Sequence, residues 1–249
     1  MGRRQPAQLL LIVAFIVTIG GVILSSPASG APVISGQRAN RAVKDLVGPG
    51  LIRAEIVTFN AGEVGVYSVD RGVVRKIRGR LLTLAERDGT VVRVRLSSAT
   101  RIRIDGWRGT SRRVRLGMRA TVMRSGNAAA SWLYAVRRSS DKSGPKIESL
   151  LSDGFVRAEV ISWAGGAVLD SRAYTGVIGS ADDTSLTLQE NDGASVQMQF
   201  DGAPEVWVNN RASSTADLKS GMRVTTIGNG DGVVSQIWAY GKKPGVGKK

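Results

Sequence analysis

Two long stretches of this 249-residue chain repeat each other, and that constrains the fold more than any other feature. An offset of 104 positions aligns residues 50–135 with 154–239 without a gap. Arg53-Ala54-Glu55 then meets Arg157-Ala158-Glu159, Leu82-Thr83-Leu84 meets Leu186-Thr187-Leu188, and Gly117-Met118-Arg119 meets Gly221-Met222-Arg223. A period this long means two copies of a whole small domain rather than a solenoid of short units. The expected organisation is an N-terminal segment at 1–30, a first copy at 37–138, a polar linker at 139–145, a second copy at 146–240, and a basic flexible tail at 241–249.

Within each copy the hydrophobic period is two. Val92, Val94 and Leu96 alternate with Arg93 and Arg95, and Leu82 and Leu84 precede them across Asp88-Gly89, as in a hairpin. Ile102 and Ile104 extend the pattern, and 120–123 with 132–136 supply a closing pair. The second copy repeats this with Leu186, Leu188, Val196, Met198, Phe200, Val206 and Val208. Each copy offers about six or seven short strands, enough for a small closed barrel that removes its own edges. The expected class is all-β, with two tandem OB-like barrels after an N-terminal signal or anchor helix. Only 38–46 and 147–151 read as helical turns, each leading into a barrel.

The strand order resembles a bacterial family called domain of unknown function 5666. The likeness lies in a glycine-led strand (Gly72-Val73-Val74), the Leu-Thr-Leu strand, the Asp-Gly hairpin, a Val-x-Val-x-Leu strand and the Gly-Met-Arg run. It recurs as Gly176-Val177-Ile178, Leu186-Thr187-Leu188, Asp192-Gly193 and Leu218-Lys219-Ser220-Gly221-Met222, covering 72–135 and 176–239. The Thr common after the third strand of that family is Thr100 here and Pro204 in the second copy. The resemblance implies an exported small β-barrel and brings no catalytic residues with it.

The N-terminus has the layout of an export signal: Arg3-Arg4, an apolar run at 9–24, then small residues at 25–31. Cleavage after Ala28 or Gly30 gives a secreted protein, and retention gives an anchor at the outer face of the bacterial cytoplasmic membrane. Cysteine and histidine are both absent. That excludes disulfides, thiolate nucleophiles, Cys/His metal or haem sites and histidine-based triads. No convergent acid, base and nucleophile set can be named from what remains, so neither an enzyme nor a cofactor is expected. Asp182-Asp183 reads as a solvated turn rather than a metal or acid/base pair, and Asn229-Gly230-Asp231-Gly232 as a hairpin turn rather than a calcium loop. Trp132, Tyr134 and Trp238 read as core or barrel-rim packing, and Phe59 and Trp163 match between copies as a shared structural pair.

Charge separates the copies. Residues 37–138 sum to +15 and residues 146–240 to −6. Arg93, Arg95, Arg101 and Arg103 correspond to Gln197, Gln199, Glu205 and Trp207, and the loop expected at 75–80, with Arg75, Lys76, Arg78 and Arg80, corresponds to one with Gly179, Ser180, Asp182 and Thr184. Strand phase puts the four strand arginines on the outer barrel face. Crowded like charges on neighbouring strands invite a compensating polyanion, which guanidinium forks match well. The expected partner is an anionic envelope polymer or membrane surface. Nucleic acid ranks lower because few aromatics interleave with the basic stripe. Two competing explanations are a solvated face in an arginine-rich codon background and an adaptor protein. In the adaptor reading the basic and acidic copies meet, within one chain or between chains or with another envelope protein, and Trp207 stacks on arginine.

Overall fold

The computed structural model describes residues 37–137, 147–151 and 154–241, all within one compact unit. The N-terminal stretch expected to be an export signal or anchor, the linker at 139–145 and the tail beyond Gly241 lie outside the described residues. The first copy begins with a helix α1 (Gln37–Leu46) and seven strands: β1 (Leu51–Asn60), β2 (Glu63–Arg78), β3 (Leu81–Glu86), β4 (Val91–Ile104), β5 (Trp107–Arg108), β6 (Arg119–Ser125) and β7 (Ala130–Val136). The second begins with a 3₁₀ turn at Ile147–Leu151 and continues with β8 (Phe155–Ala164), β9 (Ala167–Ala181), β10 (Ser185–Glu190), β11 (Ser195–Val208), β12 (Arg211–Ser213), β13 (Arg223–Asn229) and β14 (Val233–Tyr240). The described residues are all-β apart from these short helical pieces and the 3₁₀ turns at Ser111–Arg113 and Thr215–Asp217, as the period-two patterning predicts.

Five strands of each copy close a ring. In the first the order is β2-β3-β4-β7-β6 and back to β2, in the second β9-β10-β11-β14-β13 and back to β9. Only the β4–β7 and β11–β14 pairings in these rings are parallel. Five strands with the third and fifth parallel is OB-type connectivity. Long β2 lies in the ring twice, pairing first with β6 and then with β3, and at Gly72 it pairs with both. A Cβ there would stand 2.5 Å from the Ala85 carbonyl oxygen, and one at Gly176 would stand 2.3 Å from that of Gln189. Such approaches admit only glycine, which explains the glycine that leads this strand in both copies.

Thr100 has an identifiable task at the bend in β4. Its hydroxyl donates to the Ala130 carbonyl at 2.6 Å and accepts from the Ser97 amide at 2.8 Å, inside an irregular register between Leu96 and Arg101. The bend thereby satisfies polar groups that the ladder leaves open. The second copy passes the equivalent bend with Pro204, which has no hydroxyl to offer.

Beyond the rings, the first strand of each copy makes a joint. β1 and β8 pair antiparallel with Glu55 opposite Glu159, and Ala54 and Ile56 opposite Val160 and Ala158. Each of these pairs maps onto itself or onto its mate under the 104-residue offset, so the copies meet as the halves of a C2 dimer do. The ends close reciprocally: the Phe59 amide donates to the Gly154 carbonyl at 2.7 Å, and the Trp163 amide to the Gly50 carbonyl at 2.8 Å. One sheet therefore runs through both barrels.

The packing follows the sheet. Each barrel holds its own core, around Leu82, Leu84 and Leu133 in the first and Leu186, Leu188 and Ile237 in the second. A third core belongs to both copies, with Val43, Ile56 and Val69 against Leu151, Phe155, Ile227 and Trp238. Fully burying side chains of this size stabilises by about 1.5–3 kcal/mol each, so this joint is a main source of cohesion.

Candidate functional site

All eight basic residues singled out by charge, Arg75, Lys76, Arg78, Arg80, Arg93, Arg95, Arg101 and Arg103, are exposed. Arg75, Lys76 and Arg78 lie at the end of strand β2 rather than in a loop, since β2 continues pairing with β3 up to Arg78. Lys76 pairs with Thr83, which pairs with Arg93, and Arg78 pairs with Leu81, which pairs with Arg95. Two cross-strand rows over β2, β3 and β4 therefore place four cations on one outer face. Farther along β4, Arg101 and Arg103 stand beside Trp132 and Tyr134 of β7, and Arg103 also beside Arg108 of β5. Among the described residues none of the eight forms an ion pair. Such a surface keeps its charge available, and its field attracts anions until salt screens it.

The second copy uses the matching positions differently. Asp182 accepts from the amides of Thr184 and Ser185 at 2.8 and 2.7 Å and from their hydroxyls at 2.9 Å each. These four donors hold its carboxyl at a pKa of about 2, so the pair Asp182-Asp183 is a turn, as its sequence suggests. Asn229 accepts from the amides of Asp231 and Val233, a hairpin turn between β13 and β14. No group of acidic residues among the described residues is placed to hold a metal ion.

Within one chain Trp207 has a different partner from the arginine of the adaptor reading. Its ring stacks on Trp238, with centroids 5.2 Å apart and planes 6° from parallel, and it packs against the shared core. Among the described residues no arginine stacks on it. The arginine–tryptophan stack between copies is made by other residues: the Arg87 guanidinium lies 4.5 Å from the ring centroid of Trp163. The copies of one chain are thus held by an antiparallel strand pair and an apolar core. The acidic face of the second does not meet the basic face of the first in that joint.

A buried charge cluster escaped the sequence reading. Arg53 donates to Glu86 and Asp88 at 2.7 Å each, and Arg157 donates to Glu190 and Asp192 at 2.6 and 2.9 Å. The side chains of Glu86 and Glu190 are wholly buried, and one oxygen of each has no hydrogen-bond partner. Burial outweighs the arginine and raises both carboxyls to a pKa of about 7. Each cluster ties a joint strand to the β3–β4 or β10–β11 turn of its own barrel. Its signal was present in the repeated Arg-Ala-Glu and Glu-x-Asp-Gly segments, but nothing in their spacing says that they meet.

The aromatics beside the basic stripe are mostly covered. Trp132 and Tyr134 stack on each other, centroids 5.9 Å apart, and Tyr134 is only 5% exposed. Trp107 is the exception, at 80% exposed. Among the described residues no helix is long and apolar enough to cross a membrane.

No family model and no curated protein matches this chain. Among solved structures it is similar to a deletion mutant of the single-stranded DNA binding protein from Thermus aquaticus, at 11% identity over 78% of this chain and 93% of that one, with a TM-score of 0.18. A superposition that poor says nothing of shared function, and the barrel assignment rests on strand order and register alone.

Proposed function

We propose that this chain is an exported, non-enzymatic binding protein whose first barrel captures an anionic partner at the cell envelope. The observation that carries the reading is the contrast at equivalent positions: eight exposed, unpaired cations on one barrel, and on the other only neutral or acidic residues. A barrel that needed arginine for its own fold would keep it in both copies. A carboxylate-, sulfate- or phosphate-bearing polymer or surface supplies the counter-charge, through many weak contacts with little sequence preference. The outward row of β4 is the centre of the site, and the Arg75–Arg80 stretch is its second arm.

The test exchanges the copies' residues. In the full chain, Arg93→Gln, Arg95→Gln, Arg101→Glu and Arg103→Trp together install what the second copy already carries. Heparin serves as the probe, with affinity measured by titration at several salt concentrations. The parent is expected to bind with an affinity that falls steeply as salt rises, and the quadruple variant to bind about 100-fold more weakly at about 0.05 M salt. Equal affinity of parent and variant would show the arginines to be a solvated face.

A further inference from the structure

Charge is only half of what separates the barrel surfaces. Among the described residues seven large apolar side chains are exposed. Val64 and Val168 occupy matching places on the β1–β2 and β8–β9 hairpins, opposite Phe59 and Trp163 of the two joint strands, and Leu169 follows Val168 opposite Ser162. The other four, Leu81, Val91, Trp107 and Leu116, all lie on the first barrel, at 42%, 59%, 80% and 67% exposed. Their equivalents are Ser185, Ser195, Arg211 and Ser220. Codon bias toward arginine does not account for exposed leucine, valine and tryptophan, and a common architectural need would have kept them in both copies.

Their placement follows the cations. Leu81 sits in the row between Arg78 and Arg95, and Val91 precedes Arg93 and Arg95 on the same side of β4. Trp107 adjoins Arg108 in β5. Leu116 follows Arg112, Arg113 and Arg115 and returns to β2, where Gly117 and Met118 exchange backbone hydrogen bonds with Val74 at 2.9 Å, next to Arg75 and Lys76. Exposed apolar side chains that each neighbour arginine, across strands or along the chain, suit a surface that is anionic outside and apolar just beneath. Tryptophan favours the bilayer interface, aliphatic side chains bury beyond it, and basic residues pair with anionic headgroups. Three of the four have no π-face for stacking on a base, which favours lipid over single-stranded nucleic acid.

We propose that the first barrel docks on an anionic lipid bilayer through Leu81, Val91, Trp107 and Leu116 set among its arginines. The inference rests on the polyanion-binding reading and names its partner. The full chain carries an apolar stretch at 9–24 whose hydropathy alone would draw it to lipid, so the readout must be local to the barrel. Trp107 emission, taken as the difference between the chain and its Trp107→Phe variant, is followed on vesicles with brominated acyl chains. One set is phosphatidylcholine alone and the other contains phosphatidylglycerol, and heparin and oligothymidylate are titrated in parallel.

Quenching of Trp107 by roughly half is expected on the anionic vesicles alone. The triple variant Leu81→Ser, Val91→Ser, Leu116→Ser should lower that anionic-vesicle quenching by about tenfold in lipid titrations while binding heparin as the parent does. Heparin binding without Trp107 quenching on either vesicle overturns the lipid proposal and leaves the polyanion reading standing. The triple variant docking like its parent also overturns it. Oligothymidylate that quenches Trp107 and displaces it from vesicles assigns the surface to nucleic acid instead. Failure to bind both heparin and vesicles removes both readings.

Discussion

The two barrels have the same connectivity, the same buried arginine–carboxylate cluster and the same glycine at the strand crossing, yet face solvent with opposite chemistry. Leu82 and Leu84 correspond to Leu186 and Leu188 and all four are buried, whereas Arg93 and Arg95 correspond to Gln197 and Gln199 and all four are exposed. What packs was kept and what faces water diverged. Interior positions tolerate little change in volume, while surface positions away from specific contacts cost within about 0.5 kcal/mol, so duplication frees one surface for a new partner.

The joint is where that comparison breaks most severely. Phe155 is wholly buried in the shared core, and Phe155→Ala is expected to cost about 3–5 kcal/mol. Because the core draws on both copies, urea unfolding should remain a single transition at lower midpoint. Two separated transitions would mean that each barrel is stable by itself.

Exchanging one residue each way tests the asymmetry at the outward end of the third barrel strand. Trp207→Arg removes a stacked pair and puts a cation against the shared core, at a cost of about 2–3 kcal/mol. Arg103→Trp replaces an exposed cation and should change stability by less than about 0.5 kcal/mol. Thermal unfolding of both variants checks this, and equal losses would show that the two positions are equivalent after all.

The buried clusters make the barrels alike in their response to pH. Glu86 and Glu190 have folded pKa values of about 7 against 4.5 when unconstrained, so the folded state binds their protons more tightly. Their stabilising contribution is complete below the unfolded value and is lost as pH rises through 7. Asp70, also raised by burial, acts in the same direction, whereas the lowered carboxyls of Asp88, Asp182 and Asp217 titrate below this window. Unfolding free energy is expected to drop by about 2 kcal/mol per cluster between about pH 5 and pH 8. Glu86→Gln and Glu190→Gln should each remove about half of that slope, as read by denaturation at each pH.

The smallest effect concerns the strand bend. Thr100→Val strands the Ala130 carbonyl and the Ser97 amide, and should cost about 1 kcal/mol in thermal unfolding. Pro204→Thr in the second copy should recover no more than about that amount.

Much of this molecule was legible in its sequence. The offset gave the duplication, period-two alternation placed Leu82, Leu84, Val94 and Leu96 inside and Arg93 and Arg95 outside, and the Asp-Gly pairs marked the hairpins, because alternation and turn chemistry are local properties of the chain. The exposure of Arg93, Arg95, Arg101 and Arg103 follows from the same rule, whereas Arg75 and Lys76 are adjacent and both exposed because the register slips between Val74 and Lys76. Partners distant in sequence are another matter. That Arg53 reaches Glu86, that Trp207 lies on Trp238 and that Glu55 faces Glu159 depend on which strands pair. Strand pairing is chosen by the burial of whole faces against one another, so the joint between the copies, and the side on which each aromatic is covered, were decided only when the tertiary structure closed.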